Sequence, residues 1–235
     1  LYQYYQKVLA EDEMDLYIIG DISENAVDLV SKYFSISTRP VRERNVLLHR
    51  RNNEEKEVVE KQELKQSKLH IGYRTFVTYK DEDYFALQLF NGLFGGFSHS
   101  KLFVNVREKN SLAYYAASRF ESHKGLLFVM SGIEAKNYEK AVEIIKEQML
   151  AMQNGEFSEE EIHQTKSVIQ NQILEAIDTP RGFVEMLYHG IISDRTRPVE
   201  EWLTGIESVT KEEIVKVAKN IELDTIYFLQ GTEGE

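Results

Sequence analysis

Residues 91–114 read NGLFGGFSHSKLFVNVREKNSLAY, and this stretch decides the fold. It begins at the end of an apolar helical pattern, turns at Gly95 and Gly96, and finishes on residues that favour a strand. The pattern predicts a structural glycine loop formed by Gly95, Gly96 and Ser98, linking one helix to a second, short helix. Either Ser98 or Ser100 can cap the second helix, because a serine hydroxyl accepts a hydrogen bond from the first free backbone amides.

Two catalytic motifs are similar to this stretch, and neither fits. Gly96–Ser100 has Ser where the nucleophile motif G-x-S-x-G has its last Gly, and it follows a helix where that motif needs a strand. Gly92–Lys101 lacks the G-K-[ST] ending of a phosphate-binding loop. The pattern therefore favours a structural loop over a nucleophile or a phosphate-binding site.

Arg107 and Tyr114 stand seven residues apart, at the predicted end of the short helix and the start of the next strand. A guanidinium and a phenol brought together beside a loop can donate hydrogen bonds to peptide carbonyl groups. An arginine near a helix C-terminus also favours the helix dipole, and tyrosine is a good strand former. From the residues alone, the binding and the structural interpretations both remain open.

The segments on either side of this stretch predict both strands and helices, with a hairpin that turns at Gly125. Two capping boxes, Ser158–Glu161 and Thr210–Glu213, each open a helix. The predicted strands and the remaining helices follow from apolar spacing: strands near 58–59, 69–77, 113–120, 126–130 and 225–229, and helices through 84–91, 138–152 and 184–191.

The first residues look like the end of another unit. Leu1 is not Met and runs into a helical pattern, so we expect a piece of a longer chain. A predicted strand over 14–19 and a helix over 24–34 echo the helix, strand and glycine near the C-terminus. We expect residues 1–35 to be the tail of a preceding homologous domain, 36–56 an arginine-containing solvated linker, and 57–235 a complete α+β domain.

Composition excludes several classes of protein. With 28 Lys and Arg against 39 Asp and Glu, the net charge is −11, which argues against nucleic-acid and anionic-membrane partners. No stretch approaches the roughly 18 apolar residues of a membrane span. The absence of Cys rules out disulfides, a thiol nucleophile and Cys-ligated metals.

The histidines predict no metal site and no catalytic residue in this chain. The six His include no two closer than 21 residues, and neither H-E-x-x-H nor H-x-x-E-H occurs. We therefore expect each His to lie on the surface or to be satisfied in the core.

The residues quoted above resemble the pitrilysin/insulinase family of zinc peptidases, the inverzincin group that includes the mitochondrial processing peptidases. The match consists of the Gly-Gly loop, Ser, a basic residue and Leu-Phe, followed by V-R-E-K-x-x-L-A-Y over 106–114. Lys101 keeps the positive charge of the family's Arg but lacks the planar guanidinium that can donate two parallel hydrogen bonds. Residues Phe97–Ser100 also differ from the residues usual in the family. The resemblance implies an α+β fold of repeated domains, each with a mainly antiparallel sheet packed against helices. Two halves of the protein would then close like a clamshell around an unfolded peptide.

The resemblance also implies a role for Arg107 and Tyr114, which match the substrate-binding Arg and Tyr of the half opposite the zinc. We expect a substrate-binding half of a metalloendopeptidase, with peptide or unfolded protein as substrate and a homologous zinc-binding half as partner. Zinc is then the cofactor of the full protein and not of this chain, which we expect to be inactive alone. The alternatives are a non-catalytic peptide-binding or assembly homologue and, more weakly, a structural domain. We expect a cytoplasmic location.

Overall fold

The computed structural model describes residues 1–34 and 54–232. The predicted α+β class is confirmed: a five-stranded sheet has the order β1-β5-β2-β4-β3, and all pairs except the parallel β1–β5 pair are antiparallel. The strands are β1 (Lys56–Gln62), β2 (Ser67–Arg74), β3 (Ala113–Glu121), β4 (Leu126–Ile133) and β5 (Glu222–Gly231).

The helices are α1 (Tyr2–Glu11), α2 (Ala26–Tyr33), α3 (Tyr84–Asn91), α4 (Tyr138–Gln153), α5 (Glu159–Ile177), α6 (Pro180–Ile192), α7 (Val199–Ser208) and α8 (Lys211–Asn220). Both predicted capping boxes are confirmed, with Glu161 and Glu213 completing the reciprocal bonds at the starts of α5 and α8. The sequence analysis missed α7, which begins after Pro198 without a side-chain cap and buries Trp202 and Ile206.

One face of the sheet and the helices that follow β2 form a single apolar core. In β2 the side chains alternate, so that Leu69, Ile71 and Tyr73 are buried while the residues between them are more exposed. Phe90 and Phe94 stack with ring centroids 5.4 Å apart and are fully buried. This core fixes the sheet, and with it the start of β3, where Tyr114 lies.

The β3–β4 hairpin forms where the sequence predicts it. Gly125 supplies the turn with φ +60°, a left-handed conformation that favours glycine. The backbone amides of Thr75 and Tyr79 donate to the carbonyls of Gly125 and Ser122, which ties the turn to the segment after β2.

The N-terminal segment differs from the prediction in one element. Residues 14–19 form no strand, and their apolar side chains are partly exposed. A strand needs a neighbouring strand to pair its backbone hydrogen-bonding groups, and residues 14–19 pair with none of the strands that the structure describes. The predicted helix over 24–34 is present as α2. Most of the predicted linker, residues 36–53, lies outside the described residues.

Candidate functional site

A π-helical turn, Gly92–Gly96, continues α3 and brings the chain against β3. A Cβ atom built on Gly95 would lie 2.6 Å from Ser118 Oγ and 2.7 Å from both Ser118 N and Leu102 Cδ1. Because nothing larger than glycine fits between these atoms, the backbone of this turn packs directly on the middle of β3. The structural loop predicted for Gly95 and Gly96 thus takes the form of a π-helical turn.

The two candidate capping serines have different surroundings. Ser98 is exposed in the turn that follows Gly96. Ser100 is fully buried, and its Oγ accepts a hydrogen bond from the Phe103 amide at 3.4 Å. The hydrogen bond at the start of the second helical segment is thus made by Ser100. Ser98 lies in the predicted connection between the two helical segments. Between them, His99 Nε2 lies 2.9 Å from Thr165 Oγ1 on α5.

Arg107 lies in a second π-helical segment, Phe103–Lys109, with an exposed side chain. Its guanidinium carbon is 4.6 Å from the centroid of the Phe103 ring, one helical turn away. This cation–π contact restricts the long side chain without occupying its N–H donors. The guanidinium of Arg107 is therefore exposed to solvent, partly held in place by Phe103, and able to donate hydrogen bonds.

The segment that carries Arg107 is fixed at several points. Asn105 Nδ2 donates to Gln148 Oε1 at 2.8 Å, which links the segment to α4. The Leu112 amide donates to the Val106 carbonyl at 3.1 Å, and Asn110 Nδ2 donates to the Asn105 carbonyl at 2.7 Å. Ser111 takes a φ of +50°, a conformation that non-glycine residues rarely adopt. The connection to β3 is thus compact and held in one arrangement.

Tyr114 lies at an irregularity in the pairing of β3 with β4. Ala113 pairs with Ile133 and Tyr115 pairs with Gly132, so Tyr114 is an additional residue on the β3 side, as in a β-bulge. Its side chain is 66% exposed. Bulges redirect side chains, and here the phenol of Tyr114 is turned to the outside of the domain.

Arg107 and Tyr114 therefore flank one compact connection and are both exposed. No hydrogen bond joins their side chains to each other or to another side chain in the described ranges. Five guanidinium N–H groups and one phenolic O–H group remain available to an external acceptor. Peptide carbonyls are acceptors of this kind, since each has two lone pairs.

A second cluster, which sequence spacing could not reveal, joins the β3–β4 turn to α6. His123 Nε2 lies 2.8 Å from His189 Nδ1, and the two rings stack with centroids 5.0 Å apart. Tyr79 stacks on both rings. Burial lowers the pKa of His123, the neighbouring His189 lowers it further, and Glu121 opposes both effects. Burial therefore favours the neutral form of His123, and in the hydrogen bond one imidazole ring donates to the other.

Arg197 lies behind this cluster, with its side chain fully buried among aromatic rings. Its guanidinium carbon is 4.7 Å from the Tyr79 ring centroid and 5.2 Å from that of Tyr84, with Phe85 and Trp202 on other sides. Glu201 Oε1 lies 3.3 Å from its Nε. None of the three guanidinium nitrogens makes a hydrogen bond within the described residues, so the buried charge is offset by the cation–π contacts and the Glu201 carboxylate.

The described residues do not fit a metal site. Within residues 1–34 and 54–232, no group of three or more His, Asp or Glu side chains could hold an ion. His123 and His189 face each other through a hydrogen bond that occupies both facing nitrogens. In the same ranges, no helix is long and apolar enough to cross a membrane.

Comparison with known proteins gives a consistent family. The model of a family described as the peptidase M16 inactive domain matches residues 1–169. The chain is 56% identical over 238 residues to the Bacillus subtilis (strain 168) protein named probable inactive metalloprotease YmfF, covering 100% of this chain and 55% of that protein. It is 21% identical over 226 residues to an uncharacterized zinc protease, YmxG, of the same strain, covering 94% of this chain and 54% of that protein.

Solved structures agree in fold. A conserved protein from Enterococcus faecalis V583 is 39% identical with a TM-score of 0.89, over 99% of this chain and 55% of that one. A protease from Helicobacter pylori has a TM-score of 0.75 at 16% identity, over 90% of this chain and 53% of that one, which shows the fold alone. The chain spans about half the length of the curated relatives it matches.

Proposed function

This chain belongs to the family of peptidase M16 inactive domains, and from that membership we propose that it forms the peptide-binding wall of a longer zinc-peptidase-like protein. In this proposal the wall lies opposite a homologous zinc-binding half, and an unfolded peptide or protein is held between the two. The chain itself performs no chemistry, and zinc is bound by the other half.

The observation that carries the proposal is the pair of exposed donors, Arg107 and Tyr114, on either side of one fixed connection. An extended peptide has a carbonyl about every 3.3 Å, so a single bound peptide offers acceptors to both donors. Donors placed where charge develops on a scissile carbonyl stabilise a transition state by about 3–4 kcal/mol. Tyr114 and Arg107 are in this proposal substrate-binding residues that support hydrolysis at the zinc.

We propose the domain boundaries expected from the sequence: residues 1–35 as the tail of a preceding homologous domain and 57–235 as a complete one. Two observations support this division. Helices α1 and α2 bury none of their residues, although their apolar side chains resemble a core face. The matched relatives are also about twice as long as this chain.

A second candidate is a non-catalytic homologue that binds peptides or assists assembly. It is favoured by the name of the relative that is 56% identical over the whole chain, probable inactive metalloprotease. Both candidates require the same peptide-binding surface on this chain. They differ in whether the other half of the protein carries the zinc motif H-x-x-E-H.

Hydrolysis of an unstructured fluorogenic peptide by the longer parent protein tests the first candidate. If the parent is a peptidase, a chelator abolishes turnover and Arg107→Ala lowers kcat/KM by roughly a hundredfold. Tyr114→Phe, which removes only the hydroxyl group, lowers it in the same direction. Arg181→Ala, at an exposed cation on α6, is the matched control and leaves the rate unchanged.

The second candidate gives a different result in the same assay. The parent hydrolyses nothing with or without zinc, yet it binds the peptide, and binding weakens in Arg107→Ala. Wild-type hydrolysis and wild-type binding in both variants would overturn the assignment of these two residues.

A further inference from the structure

Helix α6 contributes little to the apolar core. Of its thirteen residues only Gly190 is buried, and the apolar side chains of Tyr188 and Ile191 are 42% and 43% exposed. The main element against which α6 packs is α5. The last turn of α6 therefore depends on the contacts that His189 makes with the β3–β4 turn and with Tyr79.

The hydrogen bond between His123 and His189 can accommodate one additional proton but not two. His123 Nε2 and His189 Nδ1 lie 2.8 Å apart, so one of these nitrogens carries a proton and the other accepts it. The outer nitrogens, His123 Nδ1 and His189 Nε2, have no hydrogen-bond partner within residues 1–34 and 54–232. A first added proton binds the outer nitrogen of the donating ring and leaves the hydrogen bond intact. A second must bind the accepting nitrogen, and two N–H groups then face each other.

The surroundings of the pair disfavour a second positive charge. Tyr79 stacks on both rings, with centroids 5.7 and 6.1 Å away, and the buried guanidinium carbon of Arg197 lies 4.7 Å from the centroid of the same tyrosine. Two charged imidazoles would therefore place three cations around one ring. Burial and the neighbouring His189 hold the pKa of His123 below its ordinary value, although Glu121 on β3 opposes both effects.

A cavity of about 630 Å³ lies beside the pair and carries further charges. The charged side chains that line it together with His123 are Glu13, Asp15, Lys80 and Asp194. Lys124, next to His123 in the turn, and Glu185, one helical turn before His189, are both exposed. Four of these six groups are acidic, so they attract a first proton without removing the repulsion between two charged rings. The cavity gives water access to His123 and leaves room for the end of α6 to move.

From the facing histidines, the sparse burial of α6 and the cavity beside its end, we infer that α6 is a pH-sensitive latch. Near neutral pH the hydrogen bond between His123 and His189 holds the last turn of α6 on the β3–β4 turn. In acid, a second proton on the pair breaks this hydrogen bond and releases the turn. The latch is independent of peptide binding by Arg107 and Tyr114.

The N-terminal segment lies against the same turn of α6. Glu13 and Asp15 line the cavity together with Tyr188 and Asp194. Burial, the charge of Asp15 and the neighbouring Tyr188 raise the pKa of Tyr17. Release of α6 therefore changes how residues 13–17 are held on the domain.

Proton linkage sets the size of the effect. A histidine that takes up a proton at about pH 6.5 only after α6 has opened raises the opening constant by at most about 30-fold between about pH 7.5 and about pH 5. Partial protonation of the closed pair reduces this ratio. We expect an increase of about tenfold.

The test measures backbone amide hydrogen exchange of the 235-residue chain by mass spectrometry at these two pH values, with the intrinsic exchange rate at each pH divided out. The amides of α6 should open about tenfold more often at the lower pH. The amides of α4, which contains no histidine, serve as the internal reference and should keep their protection.

A substitution that keeps the hydrogen bond and removes the charge isolates the pair. In His123→Gln the side-chain amide can still donate to His189 Nδ1 but cannot take up a proton at these pH values. Its α6 amides should open equally often, within about twofold, at both pH values. The matched control is His163→Gln, at an exposed histidine on α5, which should keep the tenfold increase of the wild type.

Trp202 gives a second measurement that needs no variant. It is the only tryptophan of the chain, it is buried, and its ring centroid lies 5.7 Å from that of Tyr79. Release of α6 uncovers Tyr79 and brings water closer to Trp202. Quenching of its fluorescence by acrylamide should therefore increase at about pH 5 while the far-ultraviolet circular dichroism of the domain is retained.

Three results would overturn the latch. The first is an opening constant of α6 that is the same at both pH values. The second is an increase in acid that persists in His123→Gln, because the titrating group then lies elsewhere. The third is an equal loss of protection in α4 and α6, because acid then loosens the whole domain. None of these measurements involves a peptide, so the proposed function is tested separately.

Discussion

Replacing Gly95 by Ala should destabilise the domain, because the new methyl group has no room. The Cβ would lie within 2.7 Å of three atoms, on Ser118 and Leu102. Two of these are side-chain atoms that can move, but the third is the backbone nitrogen of Ser118, in the paired strand β3. The π-helical turn or the strand must therefore shift.

The size of the effect follows from two opposing contributions. Alanine in place of glycine within a helical turn stabilises by about 1 kcal/mol. Overpacking of a fully packed site costs about 1–3 kcal/mol, and three simultaneous close contacts place Gly95 at the upper end of that range. The net loss is about 2 kcal/mol, which lowers the Tm of a chain of this size by about 4–8 °C.

Thermal unfolding followed by circular dichroism measures this loss, with Gly72→Ala as the matched control. A Cβ on Gly72 meets nothing closer than 3.8 Å, so that variant should keep its Tm or gain slightly. In the double variant Gly95→Ala, Ser118→Ala, the loss should be smaller than the sum of the two single losses, because one contact is relieved. An unchanged Tm for Gly95→Ala would refute the close packing of this turn on β3.

Three further predictions concern the rest of the domain. Arg197→Ala leaves a cavity among four aromatic rings and should lower the free energy of unfolding, measured in urea, by about 3 kcal/mol. The control Arg195→Ala removes an exposed partner of the same Glu201 and should lower it by less than about 0.5 kcal/mol. Burial lowers the pKa values of His70, His99 and His123 below their ordinary value of 6.5. Below pH 6.5 the unfolded chain therefore binds more protons than the folded chain. The stability of the folded chain is complete above pH 6.5 and is lost as the pH falls through the folded-state pKa values. His123→Phe should therefore shrink the difference in Tm between about pH 7.5 and pH 5.5, and a difference equal to that of the wild type would contradict this assignment. Ser158→Ala removes the acceptor for the Glu161 amide and should cost about 1 kcal/mol, measured by urea unfolding, while Ser167→Ala on the same helix changes little.

The features that the sequence predicted are those decided by neighbouring residues. The capping boxes at Ser158 and Thr210 need only four consecutive residues, and the hairpin turn at Gly125 needs one glycine between two apolar runs. The α+β class of the fold, with its mainly antiparallel sheet, followed from the resemblance to a known family. The family followed from residues 91–114, whose order is specific enough to be matched directly.

The features that the sequence could not predict depend on contacts between distant segments. His123 and His189 are 66 residues apart and meet only because α6 packs on the β3–β4 turn. Residues 14–19 are of types that favour strands, yet they form none. Whether a strand forms depends on pairing with a neighbouring strand more than on the propensity of its own residues. The π-helical form of the turn at Gly92–Gly96 depends on its close approach to β3, which the glycines permit but which their pattern in the sequence does not reveal.

The measurement that tests the central claim most directly is the affinity of this chain for an unfolded peptide, compared between the wild type and the double variant Arg107→Ala, Tyr114→Phe. Each lost hydrogen bond should weaken binding by about 1 kcal/mol, so the double variant should bind roughly 30-fold more weakly. Its Tm should be unchanged because both side chains are exposed. Equal affinity of the two proteins at equal stability would contradict a peptide-binding surface at Arg107 and Tyr114.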